Sequence, residues 1–231
     1  MVKNNITAVI PVKGNSERVK KKNLRKFGDL NLYEIKLRHL KKTSCFNRIV
    51  ISSENSKILK TAEKYGFETH LRNPKYSTSH IPMSEVYSYI ASEVRGEFIA
   101  WINVTNPLAD HLVYEEAVKR FNTIKNKNYD CLLSSVKNQQ NFFYENIPVN
   151  FNSYPWPRSQ DLEPLISLSF IINILERNKM IKWGSCVGNK PYFFMVNPII
   201  SLDIDDTNSF YLSELIYKNK NKFIKKSQYF C

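Results

Sequence analysis

The feature that most constrains the fold is a short run near the start, Ile6-Thr7-Ala8-Val9-Ile10, closed by Pro11. It is apolar on both faces of an extended chain, so a strand built from it needs cover above and below, the condition of a central parallel strand. Similar runs follow at Arg48–Ser52, Phe67–Leu71, Phe98–Val104, Cys131–Val136, Leu168–Ile174 and Tyr192–Val196. Between the first five, Tyr33–Lys42, Ser56–Tyr65, Met83–Val94 and Leu112–Lys125 place apolar residues at helical spacing, and Gly66 stops the second. This alternation predicts an α/β chain with a three-layer, mostly parallel open sheet, Rossmann-like in plan. Such sheets bind ligands at the carboxyl ends of their strands, which points to the segments after Ile10, Ser52, Val104 and Ile204. The alternation lapses over residues 138–164, an arm or lid within one domain spanning 1–231, and resumes before a last helix at Asn208–Tyr217 with Thr207 as its N-cap.

Charge narrows the partners. The net charge of +13 is uneven: residues 1–48 carry +10, residues 218–231 carry +5, and the middle is near −2. A field of that kind attracts nucleic acid, an anionic lipid surface or a small polyphosphate. No apolar run approaches the ~18 residues of a membrane span, and Met1-Val2-Lys3-Asn4-Asn5 has no apolar leader, so a cytoplasmic protein without membrane insertion is expected. Cys45, Cys131, Cys186 and Cys231 are too scattered for a zinc or thioredoxin-type site. The four histidines likewise lack metal spacing.

Four segments carry candidate chemistry. Val12-Lys13-Gly14-Asn15-Ser16 leaves the first strand and leads through Arg18 to Lys22-Asn23. Backbone N–H groups and Ser16 suit phosphate oxygens there, with Lys13, Arg18 and Lys22 supplying charge. The glycine spacing matches neither a Walker loop nor a dinucleotide fingerprint. Asp203-Ile204-Asp205 places two carboxylates on one side of an extended segment, a donor pair suited to Mg²⁺ with water and phosphate completing its shell. Asp206 is free to cap the next helix. Asn103-Val104-Thr105-Asn106-Pro107 ends the fourth strand, where Asn and Thr can bond a base or sugar, and Arg158-Ser159-Gln160 in the arm can reach an anionic acceptor.

In this order the segments resemble the cytidylyltransferases that make CMP-sialic acid and related CMP-activated acidic sugars, with CMP-Kdo synthetases as relatives. The family's opening I-P-A-R-x-x-S-K, then K-N, is similar to Ile10-Pro11-Val12-Lys13-Gly14-Asn15-Ser16-Glu17 with Lys22-Asn23. Its Q-P-T-S-P-L-R is similar to Asn103 through Ala109, and its D-I-D to Asp203-Ile204-Asp205. The resemblance implies a nucleotidyltransferase fold and Mg²⁺-dependent transfer of CMP from CTP to a hydroxyl of an acidic sugar, a sialic-type nonulosonic acid first, with release of pyrophosphate for surface-glycan synthesis. It further implies Lys13, Lys22 and Asp205 as catalytic groups and Asp203 with Asp205 as metal ligands. Val12, Lys13, Gly14, Asn15, Ser16, Lys22, Asn23, Arg72 and Asn103 would surround the nucleotide, and Asn106, Arg158 and Gln160 the acceptor. A homodimer with the arm reaching across is implied as well.

The sequence departs from the pattern at several points. Lys13 stands for a forked Arg, Glu17 for a basic residue, and Leu168-Ser169-Phe170 for the family's N-G-A. These changes fall largely on the acceptor side, so a Kdo-like acid or a phosphonate stays open as the acceptor. A glycosyltransferase of similar architecture and a basic nucleic-acid or membrane-surface binder are the readings from other classes.

Overall fold

The first apolar run forms an interior strand, paired on both edges. The computed structural model describes residues 5–16, 18–125, 127–225 and 228–230; Glu17, Lys226 and Cys231 lie outside them. In chain order the strands are β1 (Ile6–Pro11), the short pair β2 (Lys26–Phe27) and β3 (Leu30–Asn31), β4 (Arg48–Ser53), β5 (Glu68–Leu71), β6 (Phe98–Trp101), β7 (Cys131–Asn138), the short pair β8 (Phe143–Tyr144) and β9 (Ile147–Pro148), β10 (Leu165–Glu176) and β11 (Pro191–Met195). The helices are α1 (Leu32–Lys41), α2 (Ser56–Lys64), α3 (Met83–Glu93), α4 (His111–Ile124), α5 (Arg177–Trp183), α6 (Thr207–Lys218) and α7 (Lys220–Phe223).

Seven strands make one sheet in the order β11-β7-β10-β6-β1-β4-β5, and only β10 runs antiparallel to its neighbours. The expected mostly parallel α/β sheet is therefore present. Side chains alternate between its faces as the pleat requires. Ala8 and Ile10 join a core with α1, α2, α4 and α6, whereas Val9 faces a second core with α3 and α5. Because β1 lies between β4 and β6, the strand order reverses there and a crevice opens at the three carboxyl ends. Among the described residues, no helix is long and apolar enough to cross a membrane.

Several boundaries differ from expectation for local reasons. The fourth strand stops at Trp101, not Val104, since the next residues turn to serve loops: Ile102 donates to Val9 O (3.0 Å) and Thr105 O accepts from Ile204. The run at Leu168 extends to a twelve-residue strand, β10. It enters from the arm rather than from a crossover helix, so nothing forces it to be parallel. A bulge between Leu168 and Asn173 interrupts its pairing, and Phe170 there takes a left-handed conformation (φ 52°), which costs roughly 1–2 kcal/mol for a residue with a Cβ. Helix α5 carries no strong apolar periodicity and was not expected. The N-cap of α6 is Asp206, not Thr207: its carboxylate accepts Ser209 N at 2.7 Å, and Ser209 bonds back to complete a capping box.

Beneath the crevice lies a buried polar network. Lys36, fully buried in α1, donates to Asn106 O (3.1 Å) and to the Tyr114 hydroxyl. Alongside, Asp110 accepts from Lys220 (3.1 Å) and Tyr229 (3.0 Å), so the C-terminal tail is tied to the loop after β6. Burial depresses the Lys36 ammonium to about 7, against the pull of Asp203 and Asp110. The unfolded lysine stays protonated to near 10.5, so between these values unfolding takes up a proton and the stability contribution rises with pH. Denaturant titrations from pH 7 to 10 should show the wild type gaining stability relative to Lys36→Met, with the gap between them constant below pH 6. A pH-independent gap would mean that Lys36 keeps its proton in the fold.

Candidate functional site

β1 delivers the chain to the crevice and Pro11 ends the strand. Val12 N still bonds Ser52 O (2.8 Å), so the loop that follows starts from a fixed point. Ser16 then organises the turn. Its hydroxyl donates to Val19 O (2.6 Å) and accepts from Lys22 N (2.7 Å), while Asn23 Nδ2 holds Lys13 O at 3.0 Å. Gly14 is required by proximity, because a Cβ there would stand 2.6 Å from Asn55 Nδ2. Asn55 cannot yield easily, since it caps α2 through Lys57 N.

The far end of the chain meets this loop. Ile204 N bonds Thr105 O at 3.0 Å and Ile204 O accepts the Lys22 ammonium, fixing Asp203 and Asp205 on either side of it. Desolvation lowers the Lys22 pKa, and Asp203 and Asp205 oppose it. Asp203 is held above the usual carboxylate range, chiefly by burial, with the Thr105 hydroxyl working the other way and Asp205 adding to the rise. Its Oδ1 is buried with no hydrogen-bond partner. Asp205 is exposed and pairs with Arg18 at 2.9 Å.

These groups line one cavity of about 660 Å³. Lys13, Asn15, Ser16, Lys22, Asn23, Arg72, Asn103, Asp203 and Asp205 all contribute to its wall. The opposite wall, from Ser77 to Met83 together with Val86 and Trp101, had no sequence signal beyond the turn-forming Asn73-Pro74. Arg72 is only 1% exposed; its Nη2 donates to Val12 O and to Glu54 Oε2, both at 2.9 Å, and its Nε is buried without a partner.

Five expected site residues lie elsewhere. Val12 is buried in the core and Gly14 directs its N–H to Glu54 Oε1 (2.7 Å), so neither lines the cavity. Asn106 is fully buried, and its amide donates to Ser169 O, Ser201 O and Leu202 O, each at 3.3 Å. It staples three segments behind the site. Arg158, in the arm, is committed to Asp161 by a two-pronged bond at 2.7 and 2.9 Å, and Gln160 O accepts from Gln139. Neither reaches this chain's own cavity. Glu54 is the residue that sequence reading missed: attention fell on the segment after Ser52, but a lone Glu in a turn carries no motif.

The arrangement suits a polyphosphate: a cationic loop and an acidic pair face each other across one cleft, and a fixed cation bridges them. A divalent cation is compatible with Asp203 and Asp205, because an unpartnered buried carboxylate oxygen is a vacant donor. Among the described residues no group of three or more His, Cys, Asp or Glu side chains is assembled. Any such ion would therefore take much of its shell from water and ligand oxygens.

Comparisons with known proteins agree with this geometry. The family model described as cytidylyltransferase matches residues 7–225. The post-translational flagellin modification protein B of Campylobacter coli is 25% identical over 229 residues, covering 94% of this chain and 96% of that one. The CMP-N,N'-diacetyllegionaminic acid synthase of Campylobacter jejuni is 24% identical with the same coverages. N-acylneuraminate cytidylyltransferase A of Danio rerio is 26% identical over 87% of this chain, which spans only 48% of that protein. In three dimensions the chain resembles a CMP:2-keto-3-deoxy-manno-octonic acid synthetase solved with CTP, with a TM-score of 0.67 and 8% identity over 94% of this chain and 100% of the other, a likeness of fold. The chain belongs to the cytidylyltransferase family and is a CTP-dependent nucleotidyltransferase.

Proposed function

We propose that the chain transfers the cytidylyl group of CTP to a hydroxyl of an acidic sugar, a sialic- or legionaminic-type nonulosonic acid, releasing pyrophosphate in cytoplasmic synthesis of a surface glycan. The observation that carries this reading is the shared cavity: Lys13 and Ser16, near the start of the chain, face Asp203 and Asp205, near its end. In this reading Lys13 and Lys22 neutralise charge gathering on the triphosphate, while Asn15, Ser16, Asn23, Arg72 and Asn103 hold the nucleotide. Asp203 and Asp205 would hold Mg²⁺, which when bound screens phosphate charge and makes the acceptor hydroxyl more acidic. Arg18 leaves Asp205 when the ligands enter and turns to the phosphates. The similarity to a Campylobacter jejuni legionaminic acid synthase and a Danio rerio N-acylneuraminate cytidylyltransferase supports the acceptor class.

We further propose that the chain acts as one unit and pairs with a second copy through the arm, residues 138–164. Phe143, Tyr144 and Ile147 on the β8–β9 hairpin are exposed, as are Tyr154 at 94% and Trp156 at 65%. So much aromatic surface in one place is the mark of a contact. Arg158 and Gln160 would then serve the acceptor bound to the other copy.

With CTP and a panel of nonulosonic acids, Kdo and phosphonates, pyrophosphate should appear with a nonulosonic acid and need Mg²⁺. Release with none of the panel would overturn the acceptor class. Asp203→Asn and Asp205→Asn should each lower kcat/KM by about 10²–10³ with circular dichroism unchanged, and full turnover in both would remove the carboxylate pair from the mechanism. Gly14→Ala, which forces the loop off Asn55, should cost on the order of 10² in kcat/KM for CTP. Equilibrium sedimentation should give a dimer, and Tyr154→Ser with Trp156→Ser should shift it to monomer.

A further inference from the structure

Glu54 stands just beyond β4 and gathers three segments that are distant in sequence. Its Oε1 accepts Gly14 N at 2.7 Å, from the loop after β1. Its Oε2 accepts Arg72 Nη2 at 2.9 Å, just past β5, and Ser77 Oγ at 2.9 Å, from the turn that starts the opposite wall. Arg72 Nη2 also donates to Val12 O at 2.9 Å, so the contacts close a ring from Val12 through Gly14, Glu54 and Arg72 back to Val12. A weaker tie crosses the same gap, from Lys13 Nζ to Thr78 O at 3.3 Å.

We infer that Glu54 is a positioning residue for the nucleotide: it sets the distance between the cationic loop and the Arg72–Ser77 wall without touching the ligand. Lys13, Arg72, Ser77 and Thr78 line the cavity, whereas Glu54 does not. Its ion pair with Arg72 is largely withdrawn from water, with side chains 1% and 20% exposed. A pair so placed is charge-assisted and directional, and removal of one partner leaves the other buried and uncompensated. Burial alone would raise the Glu54 pKa, but hydrogen bonds from Gly14, Arg72 and Ser77 reverse that and hold it below the usual carboxylate range.

Two consequences follow for binding. The Gly14 N–H is already spent on Glu54, so it is not a free phosphate donor as a loop of this kind would otherwise offer. Arg72 is partly neutralised and fixed through Nη2, while its Nε is buried without a partner. The affinity of the cleft for a triphosphate thus depends on a carboxylate that would repel the same triphosphate if it were exposed to it.

The inference rests on the functional reading above, and nucleotide binding separates the two. Glu54→Gln keeps the shape but puts an amide donor against Arg72 and Ser77. By calorimetry with CTP and no acceptor, Glu54→Gln should bind about tenfold or more weakly. In steady state the KM for CTP should rise by a similar factor while the KM for the acceptor stays within about twofold, a split that a general loss of stability would not produce. Glu54→Asp, which keeps the charge and shortens the reach, should fall between Gln and wild type. In the unmodified chain the Gly14 amide should resist hydrogen exchange without ligand, and fast exchange there would overturn the inference even if neither variant folds. Equal CTP affinity in folded variants, or a parallel rise of both KM values, would overturn it as well. Absence of CTP binding by the unmodified chain would overturn the functional reading and this inference with it.

Discussion

The Ile204 backbone holds the site together. Its N–H bonds Thr105 and its carbonyl takes the Lys22 ammonium, so the loop after β1, the loop after β6 and the acidic segment before α6 meet at one residue. Each partner alone would be unfavourable. Lys22 is partly desolvated, and Asp203 and Asp205 repel each other in a half-buried cleft. Together they offset these costs only in part: Asp203 and Asp205 pull Lys22 back toward its charged form, and the Ile204 carbonyl accepts its ammonium, but burial still keeps Lys22 below and Asp203 above their ordinary values. Asp203 keeps an oxygen without a partner. A site that binds both a polyanion and a cation has to keep both signs present and neither fully satisfied.

The same balance explains the uneven charge of the chain. The N-terminal basic segment packs on α6, where Arg25 stacks over Phe210 at 4.9 Å and Gly28 N bonds Glu214 at 2.8 Å, and the chain beyond α6 returns to the loop after β6. Lys220 is not the solvated helix end that a run of lysines suggests. It caps the Asp110 carboxylate and Leu108 O, and so anchors the loop that follows β6. Part of the basic excess is therefore structural, and part (Lys13, Arg18 and Lys22) faces the cavity.

The parts of the fold legible in the sequence were those whose environment is set locally. A strand covered on both sides must be apolar throughout, so β1, β4 and β6 stood out, and the placement of the cleft followed from their order. Asp203-Ile204-Asp205 was legible as two acids one residue apart, and both reach the cavity although the segment lies outside the strands. The orientation of β10 and helix α5 depend on neighbours and could not be read this way, whereas the capping role open to Asp206 in the sequence is the one it takes. Ser16 lines the cavity as expected of a phosphate-binding loop, and its hydroxyl also ties Val19 O to Lys22 N, a local bond no composition rule exposes.

Acceptor residues proved the least legible, and the reason is physical. Asn106 sits at the end of an apolar strand, where a polar side chain can equally face a ligand or satisfy stray carbonyls. Here three carbonyls from β10 and from the segment before Asp203 converge on it, and Lys36 takes its own carbonyl from below. Ser169 O, one of those three, lies in the bulge of β10 where Phe170 accepts a left-handed backbone. Neither Asn106 nor this bulge lines the cavity, so the amide is spent on holding the fold behind it. Under the proposed pairing of two copies, Arg158, which bonds Asp161 within its own chain and does not line its own cavity, would serve the acceptor of the other copy.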